Sequence, residues 1–117
     1  MPGLAKKLNL KDDAKVRVLG KPADVDLDDI ATTRATSADA VLAFVSRLAD
    51  VDTTCAPVFE AARADRLAWI AYPKAGRLGT DLNRDILWQH VQGHGIQGVR
   101  QVALDDTWSA MRFRPGK

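Results

Sequence analysis

A single cysteine, Cys55, leaves no partner for an internal disulfide. That usage fits a reducing compartment. Aromatic residues make up only 6% of the chain, too few for an evident base-stacking platform. The net charge of +2 does not by itself argue for nucleic acid. No apolar run approaches the ~18 residues of a membrane span. The opening stretch MPGLAKKLNLKDDAK carries basic residues but no apolar core of signal-peptide length. The expectation from these absences is a cytoplasmic protein, a monomer or weak homodimer, with no membrane and no nucleic-acid partner.

Loop signatures are missing as well. The first strand-to-helix corner, VRVLGKPAD, holds one glycine, Gly20, followed by Lys21 and Pro22. A dinucleotide or S-adenosylmethionine binder would show its G-x-G-x-x-G series there, and proline withholds an N–H that could cradle a phosphate. No P-loop spacing and no G-x-S-x-G elbow occurs. No cofactor and no catalysis by the chain alone are therefore expected.

At 117 residues the chain is expected to form one domain over 1–117, large enough to bury roughly two-thirds of the surface its unfolded form exposes. Hydrophobic residues at 46% and charged residues at 27% match an ordinary globular composition. Charge is uneven. Residues 1–60 carry 8 basic and 10 acidic side chains, and residues 61–117 carry 9 basic and 5 acidic. The basic second half suits either an anionic ligand or a solvated surface.

Along the chain, LAKKLNL reads as a short helix with Leu4 and Leu8 on one face. KVRVLG reads as a strand closed by Gly20 and Pro22. ADVDLDD is a loop or short edge element, and IATTRAT a short strand. The uninterrupted apolar runs DAVLAFV (39–45) and LAWIAY (67–72) read as strands buried on both faces. Between them Pro57 separates a short helix or turn near 47–54 from a helix near 57–64. Thr80 to Gln92 is a helix with Thr80 as N-cap, Asp81 in the first turn, Gly93 as the stop, and Leu82, Ile86, Leu87 and Val91 on its apolar face. Trp88 falls off that face. GVRQVAL and WSAMRFR flank Asp105-Asp106-Thr107 as a closing hairpin. Alternating strands and helices predict an α/β domain, a compact three-layer Rossmann-like arrangement with a mainly parallel sheet of about five or six strands.

One region invites a functional reading. In YPKAGRLGTDLNRD a buried strand ends at Pro73, and a basic, glycine-bearing loop leads into a helix. Ligands of open α/β sheets bind beyond the carboxyl ends of strands, and a helix start offers free N–H groups. Lys74, Arg77 and Arg84 would supply charge and Thr80 a hydrogen bond. Asp81 competes for the same positive potential, and the segment reads equally as an ordinary capped joint. The hairpin adds Asp105, Trp108 and Ser109, with Asp105 or Asp106 able to pair with Arg112 across the strands. Trp108 suits either a partner anchor or a core position. His90 and His94, four apart, would share a metal on a continuous helix, but Gly93 is expected to end the helix between them. They read as a helix-end pair, and no metal is expected. Cys55 reads as a small buried hydrophobe, with no base to activate it.

The stretches LAWIAYPKAGRLGTDLNRD and VALDDTWSAMRFR resemble a bacterial family of uncharacterised proteins, domain of unknown function three-zero-five-two. The shared pattern is Pro73-Lys74, the Gly76–Gly79 loop, Asp81, and the series Asp105, Trp108, Ser109, Arg112. LAKKLNLKDDAKVRVLGKP extends the likeness to the N-terminus. The resemblance implies a family and no mechanism. A weaker likeness joins the order strand 39–45, helix, strand 67–72, helix, hairpin to the later half of class I methyltransferases; Gly20-Lys21-Pro22 departs from their glycine-rich loop. The expected role is a binding or accessory module for a small anionic ligand or a protein partner. The alternatives are a diverged methyltransferase-like enzyme, or an interaction or self-association module using Trp88 or Trp108.

Overall fold

The computed structural model describes residues 8, 10, 15–22, 25, 31–33, 38–74 and 79–116. The expected helix around Leu4 and the segment 23–29 lie outside these residues, apart from Leu8 and Val25. The described strands are β1 (Lys15–Leu19), β2 (Ala31–Thr33), β3 (Ala40–Phe44), β4 (Leu67–Pro73), β5 (Ile96–Ala103) and β6 (Trp108–Pro115). A 3-10 turn at Leu48–Asp50 runs into helix α1 (Val51–Thr54); α2 covers Ala56–Arg63 and α3 Arg84–Gln92.

All six strands form one sheet in the order β2-β1-β3-β4-β6-β5. β1 pairs in parallel with β2 and β3, and β3 with β4. β6 runs antiparallel to both β4 and β5. The fold is thus α/β with a mixed sheet, which corrects the expectation of a mainly parallel Rossmann-like one. The physical reason is the hairpin. Its return strand β6 inserts beside β4, where Ile70 faces Met111 and Ala71 faces Ala110. Burying β6 in the interior satisfies it on both edges and leaves β5 as the exposed edge, with polar residues along it.

The apolar runs of β3 and β4 lie at the centre of the sheet and are buried throughout, apart from Leu67 at the first position of β4. Side chains alternate between faces. Val41, Ala43, Ile70 and Phe113 point to one side, where Val58 and Phe59 of α2 and Leu87 and Val91 of α3 cover them. Leu42, Trp69, Ala71 and Trp108 point to the other, against Leu8 and Val25. Every described helix packs on the first face, so the described residues show two layers rather than the expected three. No described helix is long and apolar enough to cross a membrane.

Helix α3 begins three residues later than its sequence suggests, with its N-cap at Asn83 instead of Thr80, because Thr80 and Asp81 are engaged elsewhere. The Thr80 hydroxyl donates to the Ser46 carbonyl at 2.6 Å and accepts from the Leu82 N–H at 3.0 Å. Asp81 Oδ1 accepts from the Leu48 N–H at 2.9 Å. Both residues tie this segment to the chain leaving β3. The N-cap is Asn83, whose extended backbone lets Oδ1 accept from the Ile86 N–H at 2.8 Å. Ile86, assigned to the apolar face, is exposed. The helix ends at Gln92 with Gly93 as its cap, as expected, but Gly93 does not reverse the chain: its φ of −66° and ψ of −14° stay right-handed. The left-handed residue is Gly95, with φ +81°.

Candidate functional site

Beyond the carboxyl end of β4 lies a cleft of about 420 Å³, lined by Tyr72, Lys74, Asn83, Arg84, Asp85, Gln101 and Ser109. Its position follows from strand alternation. Tyr72 sits opposite Ser109, and both point to the helix-bearing side of the sheet. Gln101 arrives from β5 opposite Met111. The start of α3 closes the side, bringing Asn83, Arg84 and Asp85, and helix N-termini attract anions.

Tyr72 is the unusual member. It is only 2% exposed, and its hydroxyl has no hydrogen-bond partner among the described residues. A buried polar group left unpaired costs about 1–3 kcal/mol, so this hydroxyl is a vacant donor at the edge of a cleft. Burial pushes the phenol pKa up, Arg84 partly opposing and Asp85 adding to it. The group therefore stays protonated at neutral pH and keeps its hydrogen to donate. Arg84 and Asp85 touch at 3.4 Å, both exposed; such a pair contributes about 0–1 kcal/mol and leaves the guanidinium free to turn to a ligand. With Lys74, the cleft carries two cations against one carboxylate.

The residues singled out from sequence are distributed as follows. Lys74, Arg84 and Ser109 line the cleft. Arg77 lies outside the described residues. Thr80 is held by the Ser46 carbonyl and is not among the cleft-lining residues. Asp105 closes the hairpin turn, its Oδ1 accepting from the N–H groups of Thr107 at 2.8 Å and Trp108 at 2.7 Å. Arg112 stands well along β6, opposite Trp69 and Arg100; its Nε is buried without a partner among the described residues, so the expected cross-strand pair with Asp105 or Asp106 is not formed. Trp108 is buried on the opposite face, edge-on to Phe44 at 5.2 Å. Trp88 remains partly exposed on α3.

Sequence reasoning missed Tyr72, Asn83, Asp85 and Gln101. Tyr72 had a usable signal, as the one hydroxyl in an apolar run and at its carboxyl end. Gln101 had none, because only the hairpin register puts it there.

Cys55 joins α1 to α2 and is completely buried. Burial, with the Asp52 charge adding, pushes its thiol up to about 12, so it cannot act as a nucleophile near neutrality. Ellman's reagent is expected to label it at pH 8 only at the rate of unfolding, whereas the denatured chain reacts at once. Fast labelling of folded protein would contradict its burial. The sign for stability follows. A pKa raised on folding stabilises below the unfolded value, and that contribution is lost as pH rises from about 9 to about 12. Urea midpoints should fall across that window, and less so in Cys55→Ala.

No family model matches the chain, and no curated protein matches it.

Proposed function

We propose that this protein is a small binding module whose cleft at the end of β4 takes a small anionic ligand, a carboxylate or a phosphate. The observation that carries this reading is the Tyr72 hydroxyl, buried, protonated and unpartnered among the described residues in a cleft flanked by Lys74 and Arg84. A ligand oxygen accepting from Tyr72 would satisfy the buried donor left open there among the described residues. The two cations would neutralise its charge, and the N–H groups at the start of α3 would add a favourable dipole.

The test is a thermal melt against phosphate, sulfate, acetate, succinate and nucleotides at matched ionic strength. A ligand present at 100 times its Kd adds ~2.7 kcal/mol, on the order of a 10 °C rise for a domain near this size. Arg84→Ala should weaken binding on the order of tenfold or more, as expected for a charge-assisted hydrogen bond. Tyr72→Phe should weaken it roughly fivefold while making the unliganded protein more stable by up to about 1–3 kcal/mol, since a buried hydroxyl without a partner among the described residues is removed. The reading fails if no anion shifts the melt, or if both variants bind as the native chain does.

A second reading, a diverged methyltransferase-like enzyme, is favoured by the element order from β3 to the closing hairpin, which is similar to the later half of class I methyltransferases. It requires saturable binding of S-adenosylmethionine, and equilibrium dialysis showing none at millimolar ligand would remove it.

A further inference from the structure

At the other end of α3, three side chains from two helical segments converge. His90 lies in the last turn of α3 and His94 in the turn that follows it. Asp52 belongs to α1. Each imidazole Nε2 stands 2.8 Å from the same oxygen, Oδ1 of Asp52. The three ligand-bearing atoms all lie within 4.8 Å of one another.

The backbone explains how two histidines with a glycine between them share one side. Gly93 keeps right-handed helical angles, and the His94 N–H donates to the Val91 carbonyl at 2.8 Å. The coil therefore runs on through His94, and the chain reverses only at Gly95. The i, i+4 spacing that the sequence seemed to break is preserved.

The His94 ring is also held before any ligand arrives. It stacks on Phe59 with centroids 4.1 Å apart and planes 15° from parallel. Its carbonyl accepts from Arg63 Nε at 2.8 Å. A ligand whose rotamer is locked by packing loses little freedom on binding. All three groups keep solvent access, Asp52 the most, so an ion can enter.

We propose that Asp52, His90 and His94 form a binding site for one divalent transition-metal ion of the zinc class. Two imidazole nitrogens and one carboxylate oxygen are donors that such ions accept, at about 2.0–2.2 Å. The ion would sit between the two Nε2 atoms and Asp52 Oδ1, each imidazole binding through Nε2 as the neutral ring with its proton on Nδ1. A proton held on Nε2 before binding moves to Nδ1 by exchange with solvent, and one in excess is released. The two Nε2–Oδ1 separations, now 2.8 Å, would widen by roughly half an ångström to become edges of a tetrahedron around an ion held at about 2.0–2.2 Å. Three protein ligands leave a fourth position for water or an exogenous ligand. This site stands independently of the cleft at the start of α3.

The rival is a plain polar link between α1 and α3. The two are separated by titrating untagged protein with Zn2+ by calorimetry and with Co2+ by visible absorption. A metal site binds one ion per chain, gives Co2+ ligand-field bands of a low-coordinate nitrogen and oxygen set, and raises the melting temperature with Zn2+. His90→Gln, His94→Gln and Asp52→Asn should each lower affinity by about 100-fold or more, beyond what loss of an outer-shell partner does. Circular dichroism confirms that each variant folds. Cys55→Ala should bind as the native chain does, which excludes the thiol as the ligand. Absence of one-to-one binding in the native chain overturns the proposal, as does affinity that survives in the folded His90→Gln/His94→Gln double variant.

Discussion

Trp69→Ala should lower the unfolding free energy by about 3–5 kcal/mol, the range for truncating a buried large aromatic. Trp69 is the largest fully buried side chain described, 1% exposed at the middle of β4. It lies between Leu42 of β3 and Arg112 of β6 in the sheet register. Its indole Nε1 donates to the Leu8 carbonyl at 3.2 Å, so the same residue fills the second face and ties the N-terminal segment to it. For a domain of this length the loss corresponds to a melting temperature lower on the order of 15 °C. Trp69→Phe separates the two contributions. It keeps most of the apolar ring but leaves the Leu8 carbonyl without its donor, and should lose about 1–2 kcal/mol. Urea unfolding followed by circular dichroism reads both. A loss below about 1 kcal/mol in Trp69→Ala, against the usual range for such truncations, would mean that this face is not packed as described.

Gly20→Ala should be nearly as damaging, for a different reason. Gly20 has φ +67°, and a Cβ placed there would lie 2.8 Å from the Phe44 carbonyl oxygen and 3.6 Å from Thr54 Cγ2. The left-handed backbone alone costs an alanine about 1–2 kcal/mol. The collision is with backbone at the end of β3, which cannot rotate away, and overpacking of this kind adds about 1–3 kcal/mol. Gly95→Ala is the matched control. Gly95 has φ +81° with nothing within 4 Å of an added Cβ, so it loses only the conformational part. The difference between the two variants measures the clash. Equal losses would show that β3 yields at Phe44. The result also bears on function: Gly20 stands where a cofactor loop would begin, yet its missing side chain serves the close approach of β1 to β3.

Uninterrupted apolar runs told the sequence reader where β3 and β4 lie, because strands with helix or chain on both faces have no solvent side to alternate toward. Pro57 and the hairpin turn at Asp105–Thr107 were equally legible, since proline and a capped turn act over a few residues. The alternation of strand and helix patterns along the chain was enough to predict an α/β domain. The direction of β6 was not legible: a hairpin can lie at an edge or return into the sheet, and the choice depends on which strand offers the better apolar partner. Thr80 and Asn83 are both sound helix caps on local grounds. Only the position of Ser46 and Leu48, more than thirty residues earlier in the chain, takes Thr80 and Asp81 away from capping.

The two proposed sites divide along the same line. Lys74 and Arg84 were evident from a basic segment between a strand and a helix. Ser109 was named from the hairpin, whereas Tyr72 and Gln101 join them only through the register of three strands. His90 and His94 were visible as a pair, but glycine permits both a stop and a continued turn, and the sequence cannot say which. Asp52 is 38 residues from His90, and nothing in the intervening sequence marks it as a neighbour. Local chemistry, settled within a turn or a strand, was written in the sequence. Convergence of distant side chains was decided by packing, because burying the apolar faces of α1, α2 and α3 on one sheet is what sets where the polar residues of α1 and α3 meet.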